Sequence, residues 1–369
     1  MIRLLIAIAI VLGAGPALAQ GNAGRPAQAE APGWTRSDGR LRFAPAAVTL
    51  PARAAGVQVT EVREFSHPGE NIDNIVQYRS SDGAVIGTVY IYYPALAHTG
   101  LAAFATDNAI RINSPTNVST RGSSVVAAGR FPGAALRADY GNYRNGNASS
   151  AAFIKVGRWM IKLRVSAPEQ RRGEVEAAMT ALLSQIGFEG EQPSPASAMD
   201  FDRCPDAPER DARLLPDDMT ATFTDSLLGV IDGAGSDEAV RSRVPRRWCR
   251  SALARIGDGQ YPILRALPEQ SEGEETSRLA VIISDAGGLL EVVAAPGGGR
   301  YTVLHHQIGE TAVLGSFDAV PSNAQIAAII SGSDTGAARL RARIRLRPGE
   351  GSDLQLFVEP TTQAPEPVT

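Results

Sequence analysis

The stretch IDNIVQYRSSDGAVIGTVYIYY, residues 72–93, decides how the chain is read. Apolar and polar side chains alternate on both sides of Ser81-Asp82-Gly83, and Asp-Gly suits the tight turn of a β-hairpin. Residues 72–79 and 85–93 are therefore expected as antiparallel strands. Tyr90 and Tyr92 share one face of the second strand, while Val89, Ile91 and Tyr93 share the other. A row of tyrosines packs beneath a helix or lines a ligand groove, because the ring is apolar and its hydroxyl wants a partner. Tyr90 and Tyr92 are accordingly candidate groove residues.

Working outward, Val57, Val59 and Val62 form an extended segment before the hairpin. Leu101, Phe104, Ala105 and Ile112 after it give a helix its apolar stripe, and Pro115 stops that helix. Strands are expected over 125–131, 135–140, 151–156 and 159–165, the last two turning at Gly157-Arg158. Val175, Met179, Leu182, Leu183 and Ile186 then repeat at helical spacing. Three strands, a helix, four strands and a helix bury their apolar faces as one antiparallel sheet under two helices. In this succession of elements, residues 40–188 resemble the PsbP/DcrB-like sandwich of small exported α/β proteins. The resemblance implies an accessory or envelope-associated role and carries over no catalytic set.

Composition shifts at GEQPSPAS, residues 190–197, which is linker chemistry, so 189–199 is expected to divide two domains. The second, residues 200–359, opens with a Pro- and Asp-rich stretch and an apolar run at 227–231. A basic segment through Trp248 and Cys249 comes next. Strand signals cover 261–267, 279–284, 289–294, 301–306 and 312–317, with glycine turns between them. A short helix over 321–330 follows, with Ser322 as N-cap, and a hairpin over 339–347 and 354–358 ends the domain. The fold class expected is α+β: two domains, each an antiparallel sheet with covering helices.

The ends read differently. Arg3, an apolar run over residues 4–12, the breakers Gly13, Gly15 and Pro16, and Ala17-Leu18-Ala19 make a signal peptide over 1–19, cleaved near Ala19-Gln20. Nine apolar residues span roughly 14 Å as a helix, about half of a bilayer core. No other segment is apolar enough to cross. Residues 20–39 are expected as a disordered leader and 360–369 as a disordered tail. The expected location is periplasmic or secreted. Two cysteines in an exported chain, Cys204 and Cys249, read as one disulfide.

Chemistry is harder to find. The net charge of −3 argues against nucleic acid as a partner. There is no G-x-S-x-G, H-E-x-x-H, Walker-type loop or C-x-x-C, so the sequence names no catalytic residue, metal site or cofactor. Gly233-Ala234-Gly235 lacks the third glycine of a dinucleotide loop, and Asp334-Thr335-Gly336 has the polar flanks of an ordinary loop. His67 sits in a turn, His98 stands alone, and His305 and His306 point to opposite faces of a strand. Basic residues cluster at 241–255 around Trp248. They also form a ladder, Arg339, Arg341, Arg343, Arg345 and Arg347, alternating with apolar residues. Such a ladder can dock an anion, for which an anionic envelope component is the candidate partner. The function these features favour is an exported, non-catalytic, envelope-associated binding or accessory protein. The alternative is a secreted or periplasmic hydrolase whose site assembles only in the fold.

Overall fold

The computed structural model describes residues 31–67, 69–112, 114, 118–144, 146–199, 201–205, 209–216, 248–256, 259–267, 278–295, 299–334, 336–348 and 355–358. The expected signal peptide and cleavage point, the first part of the expected leader, Arg241 to Arg247, Gly233-Ala234-Gly235 and the expected tail lie outside these residues.

The β-hairpin forms as its alternation requires. Strands β6 (Asp73–Ser80) and β7 (Ile86–Tyr92) pair with Val76 opposite Val89. Asp82 closes the turn by accepting from Ser80 Oγ at 2.5 Å and from the Ala84 amide at 3.1 Å. Around the hairpin grows an eight-stranded sheet with β4 (Arg53–Ala54), β5 (Val57–Glu64), β8 (Ser119–Ala128), β9 (Phe131–Tyr143), β10 (Asn147–Val156) and β11 (Trp159–Pro168). Its order is β4-β5-β6-β7-β11-β10-β9-β8, and it is antiparallel throughout. Helix α1 (Thr99–Ile112) covers one face and α2 (Arg172–Gln185) the other. Val175, Met179, Leu182 and Leu183 of α2 are buried, and each such side chain contributes roughly 1.5–3 kcal/mol.

The remaining architecture corrects the α+β expectation. Among the described residues the protein is mostly β, built of three antiparallel sheets and three α-helices. A four-stranded sheet of β1 (Trp34–Ser37), β2 (Arg40–Phe43), β3 (Val48–Pro51) and β12 (Gly187–Phe188) forms partly from residues read as leader. Trp34 is drawn into structure because its indole donates to Asn74 Oδ1 at 3.0 Å and stacks 4.8 Å from Phe43. Phe43 in turn meets Trp159 edge-on at 5.5 Å. A second eight-stranded sheet runs in chain order: β13 (Trp248–Ile256), β14 (Gly259–Ala266), β15 (Leu279–Ile282), β16 (Leu289–Ala294), β17 (Tyr301–Gln307), β18 (Glu310–Phe317), β19 (Ala342–Arg345) and β20 (Gln355–Val358). Helix α3 (Asn323–Ser331) covers one of its faces, capped by Ser322 and Gln325 in a capping box. Short helices cannot cover so much apolar sheet. The other face of this sheet buries Val293, Leu304, Val313, Ala342, Ile344 and Leu346 in the same core as Ile91, Tyr93 and Trp159.

Residues on either side of the Pro/Ser-rich stretch thus pack together, and the chain from Ala31 onward is one compact unit. The stretch is itself tied down. Pro193 bridges to Val156, the Ser194 amide donates to the Lys155 carbonyl at 2.9 Å, and the Ser197 amide donates to Thr99 Oγ1 at 2.8 Å. Ala198 passes so close to Gly100 that a Cβ there would lie 2.3 Å from its carbonyl oxygen. The Cys204–Cys249 disulfide then fastens the strap to β13. Closing its 45-residue separation constrains the unfolded chain by about 4 kcal/mol in the loop-entropy account.

Candidate functional site

Tyr90 and Tyr92 lie on the α1 face of the first sheet, where the register sets a short row of polar groups. Lys162 of β11 is directly opposite Tyr90, Met160 opposite Tyr92 and Arg164 opposite Thr88. Asp73 of β6 stands opposite Tyr92 on its other side. Helix α1 packs over β9 and β10, so it leaves this part of the face to another element. That element is the turn between β15 and β16, which brings in Asp285.

Lys162 is 5 % exposed, and its Nζ donates to Asp285 Oδ2 at 2.8 Å and to the Asp285 carbonyl at 3.3 Å. Its ammonium also lies 5.3 Å from the centre of the Tyr90 ring. Burial pushes the Lys162 pKa down, opposed by the Asp285 charge. Burial would raise the Asp285 pKa, but Lys162 and Arg164 outweigh it and hold the carboxyl below its ordinary range. Removing Asp285 would leave the buried Lys162 without its acid partner. Arg164 stacks its guanidinium 4.4 Å from the Tyr143 ring. Its Nη2 is buried and meets no acceptor among the described residues.

Beside this pair runs a half-open cleft between α1 and the turn. Its walls are Tyr92, Leu101, Ala105, Met160, Ile282 and Leu289, with Ala102 and Ser284 also on the lining. His98, one of the lone histidines, belongs to the same wall and caps α1: Nδ1 accepts from the Leu101 amide at 3.2 Å. Burial raises the Tyr92 hydroxyl well above its ordinary range, so it remains a neutral phenol. Burial also lifts the Asp73 carboxyl from 3.8 to about 6. Its folded-state pKa is above its unfolded value, so ionising it destabilises the fold as pH rises through 4 to 6. Asp73→Asn is expected to stabilise the protein above pH 6 by on the order of 2 kcal/mol, fading to nothing below pH 4. Urea melts at pH 4 and pH 7.5 measure the difference.

The other sequence candidates fall elsewhere. His306 is 1 % exposed, between Glu291 Oε2 at 2.9 Å and Thr311 Oγ1 at 3.0 Å, while His305 is half-buried on the opposite face. Arg278 Nε donates to the second Glu291 oxygen. Hydroxyl, imidazole and carboxylate are connected as in a catalytic triad, but Thr311 and Glu291 are fully buried and Arg278 neutralises the acid. The network fastens the second sheet where it meets the first half of the chain.

The arginine ladder divides. Arg341 is buried and Arg339 half-buried, whereas Arg343, Arg345 and Arg347 are exposed on the outer face of β19 and its continuation. Arg343 and Arg345 each place Nε 3.7 Å from the Glu310 carboxylate. That carboxylate comes from the preceding strand, β18. Asp334 of Asp334-Thr335-Gly336 accepts from the Ala337 amide at 3.0 Å in the loop after α3.

Sequence reasoning reached Tyr90 and Tyr92 but missed Asp73, Lys162, Arg164 and Asp285. The available signal was Lys162 and Arg164 alternating with Ile161, Leu163 and Val165, charges on one face of a strand whose two neighbours are also apolar. Nothing in the sequence announces Asp285, which is 123 residues from Lys162.

No protein-family model matches the chain, and no curated protein matches it. A solved structure from Bacteroides thetaiotaomicron is similar over 52 % of this chain at 9 % identity, with a TM-score of 0.23. The match spans 60 % of that protein's length, and a likeness this slight carries no argument about fold or function.

Proposed function

We propose that the protein is an exported binding protein that holds a small, largely apolar ligand in the cleft between α1 and the β15–β16 turn. The observation that carries this reading is the Lys162–Asp285 ion pair, its lysine buried, beside an otherwise apolar cleft. A buried ion pair is a poor device for stability, since apolar side chains of similar volume serve as well or better. A charge beside an apolar cleft, with aromatic rings around it, is what fixes the orientation of a bound molecule. The disulfide and the sequence pattern of residues 1–19 support an oxidising, exported setting. A non-catalytic, accessory role fits Tyr92 as a wall of the cleft, with the Lys162 and Asp285 charges beside it.

Ala102 lines the cleft and is half-buried, so a larger side chain there fills the cleft. The variant Ala102→Trp is expected to lose at least tenfold of the affinity for a small apolar fluorescent probe, with melting temperature within a few degrees of wild type. Probe titration checks this. Equal affinity in the two proteins would place binding elsewhere.

A further inference from the structure

We propose that the ligand is a small aliphatic carboxylate, whose head takes the place of Asp285 between Lys162 and Arg164. This deepens the cleft reading above and depends on it.

Three observations on one strand face lead there. Lys162 is almost fully buried, yet its anion is supplied by a turn whose Asp285 side chain is 36 % exposed, reaching in from solvent. A cation built only for stability would find its partner within the core; here a surface turn provides it. Arg164, two residues along the same face, sits about 6.8 Å from Lys162, and its buried Nη2 has no acceptor among the described residues. Asp285 therefore hydrogen-bonds one of two neighbouring cationic donors on this face. A carboxylate bridging Nζ and Nη2 answers both, with charge-assisted bonds on each oxygen. The rings of Tyr90 and Tyr143 lie against these cations at 5.3 and 4.4 Å and flank the head group.

The tail follows from the neighbouring row. Met160 and Tyr92 lie next to Lys162 on the sheet and also form the cleft floor, so a chain leaving the head runs between Leu101 and Leu289. Asp285 can leave by turning its side chain alone, which is 36 % exposed. Gly287 already rests against Pro94 and Tyr92, where an added Cβ would stand 3.2 Å from Pro94. Charge is conserved in the exchange: the ligand anion replaces the Asp285 anion at the cations, and Asp285 moves to water.

Titration calorimetry with octanoate and 1-octanol, on wild type, Asp285→Asn, Lys162→Met and Ala102→Trp, tests this. Wild type is expected to bind octanoate at least tenfold tighter than octanol. Asp285→Asn, freed of the internal competitor, gains about a further tenfold for octanoate and nothing for octanol. Lys162→Met binds the two alike; if it fails to fold, Asp285→Asn alone decides. Equal binding of octanoate and octanol by wild type, abolished in Ala102→Trp, overturns the head-group assignment and leaves the cleft. Octanoate binding unchanged in Ala102→Trp, or absent from wild type, overturns both.

Discussion

Fragments 31–199 and 200–369, produced separately, are expected to aggregate instead of folding. Each would expose the surface the other covers. On the second fragment this means Val293, Leu304, Val313, Ala342, Ile344 and Leu346, which share a core with Tyr93 and Trp159. On the first it means Leu101 and Ala105 of α1, which pack with Leu264, Ile282 and Leu289. At roughly 1.5–3 kcal/mol per buried apolar side chain, this surface outweighs the entire stability of a typical domain. Backbone pairing would be lost too: Ala95 donates to the Gln307 carbonyl at 3.1 Å and Gly309 to the Tyr93 carbonyl at 2.9 Å. Protease should accordingly cut slowly within 189–199 despite its Pro- and Ser-rich composition. Size-exclusion chromatography and near-ultraviolet circular dichroism of the fragments decide the matter. Two monodisperse, cooperatively melting fragments would contradict the shared core.

The largest effect of a single substitution is expected at Glu291. Burial works to raise its pKa, but the Arg278 charge and the His306 hydrogen bond hold it well below the ordinary carboxylate range. Glu291→Ala leaves the Arg278 guanidinium and His306 facing a dry void, a change that costs about 3–5 kcal/mol. The effect depends on pH with a definite sign. A depressed carboxyl pKa contributes stability that is complete above the ordinary range and is lost as pH falls below it. The gap between wild type and Glu291→Ala should therefore be widest at neutral pH and narrow on acidification. Urea denaturation at pH 7 and pH 3 measures it. A gap under 1 kcal/mol at pH 7 would show that the network is not closed as described.

Much of the first sheet was legible because its strands keep one side chain period over long runs. The 72–93 hairpin and the spacing of Val175, Met179, Leu182 and Leu183 each fix an element from local information alone. The overall architecture was not legible, because it depends on which sheet covers which. A β-strand such as Ala342–Arg345 announces an apolar face, and its buried Ala342 and Ile344 have that face. Only the fold shows that what covers it is another sheet and not a helix. Trp34 shows the same limit: a Gly- and Pro-rich context reads as disordered until Asn74 and Phe43 are placed beside it. The site was half legible. Tyr90 and Tyr92 follow from strand parity, whereas the pairing of Lys162 with Asp285 joins a strand to a distant turn by no local pattern.

The central claim is that the cleft between α1 and the β15–β16 turn holds a small molecule. Native mass spectrometry of wild type and Ala102→Trp, each purified without denaturation and exposed to octanoate, tests it most directly. The account predicts a carboxylate-sized mass addition on wild type that is released on unfolding and is missing from Ala102→Trp. Identical spectra for the two proteins, with or without an addition, would contradict it.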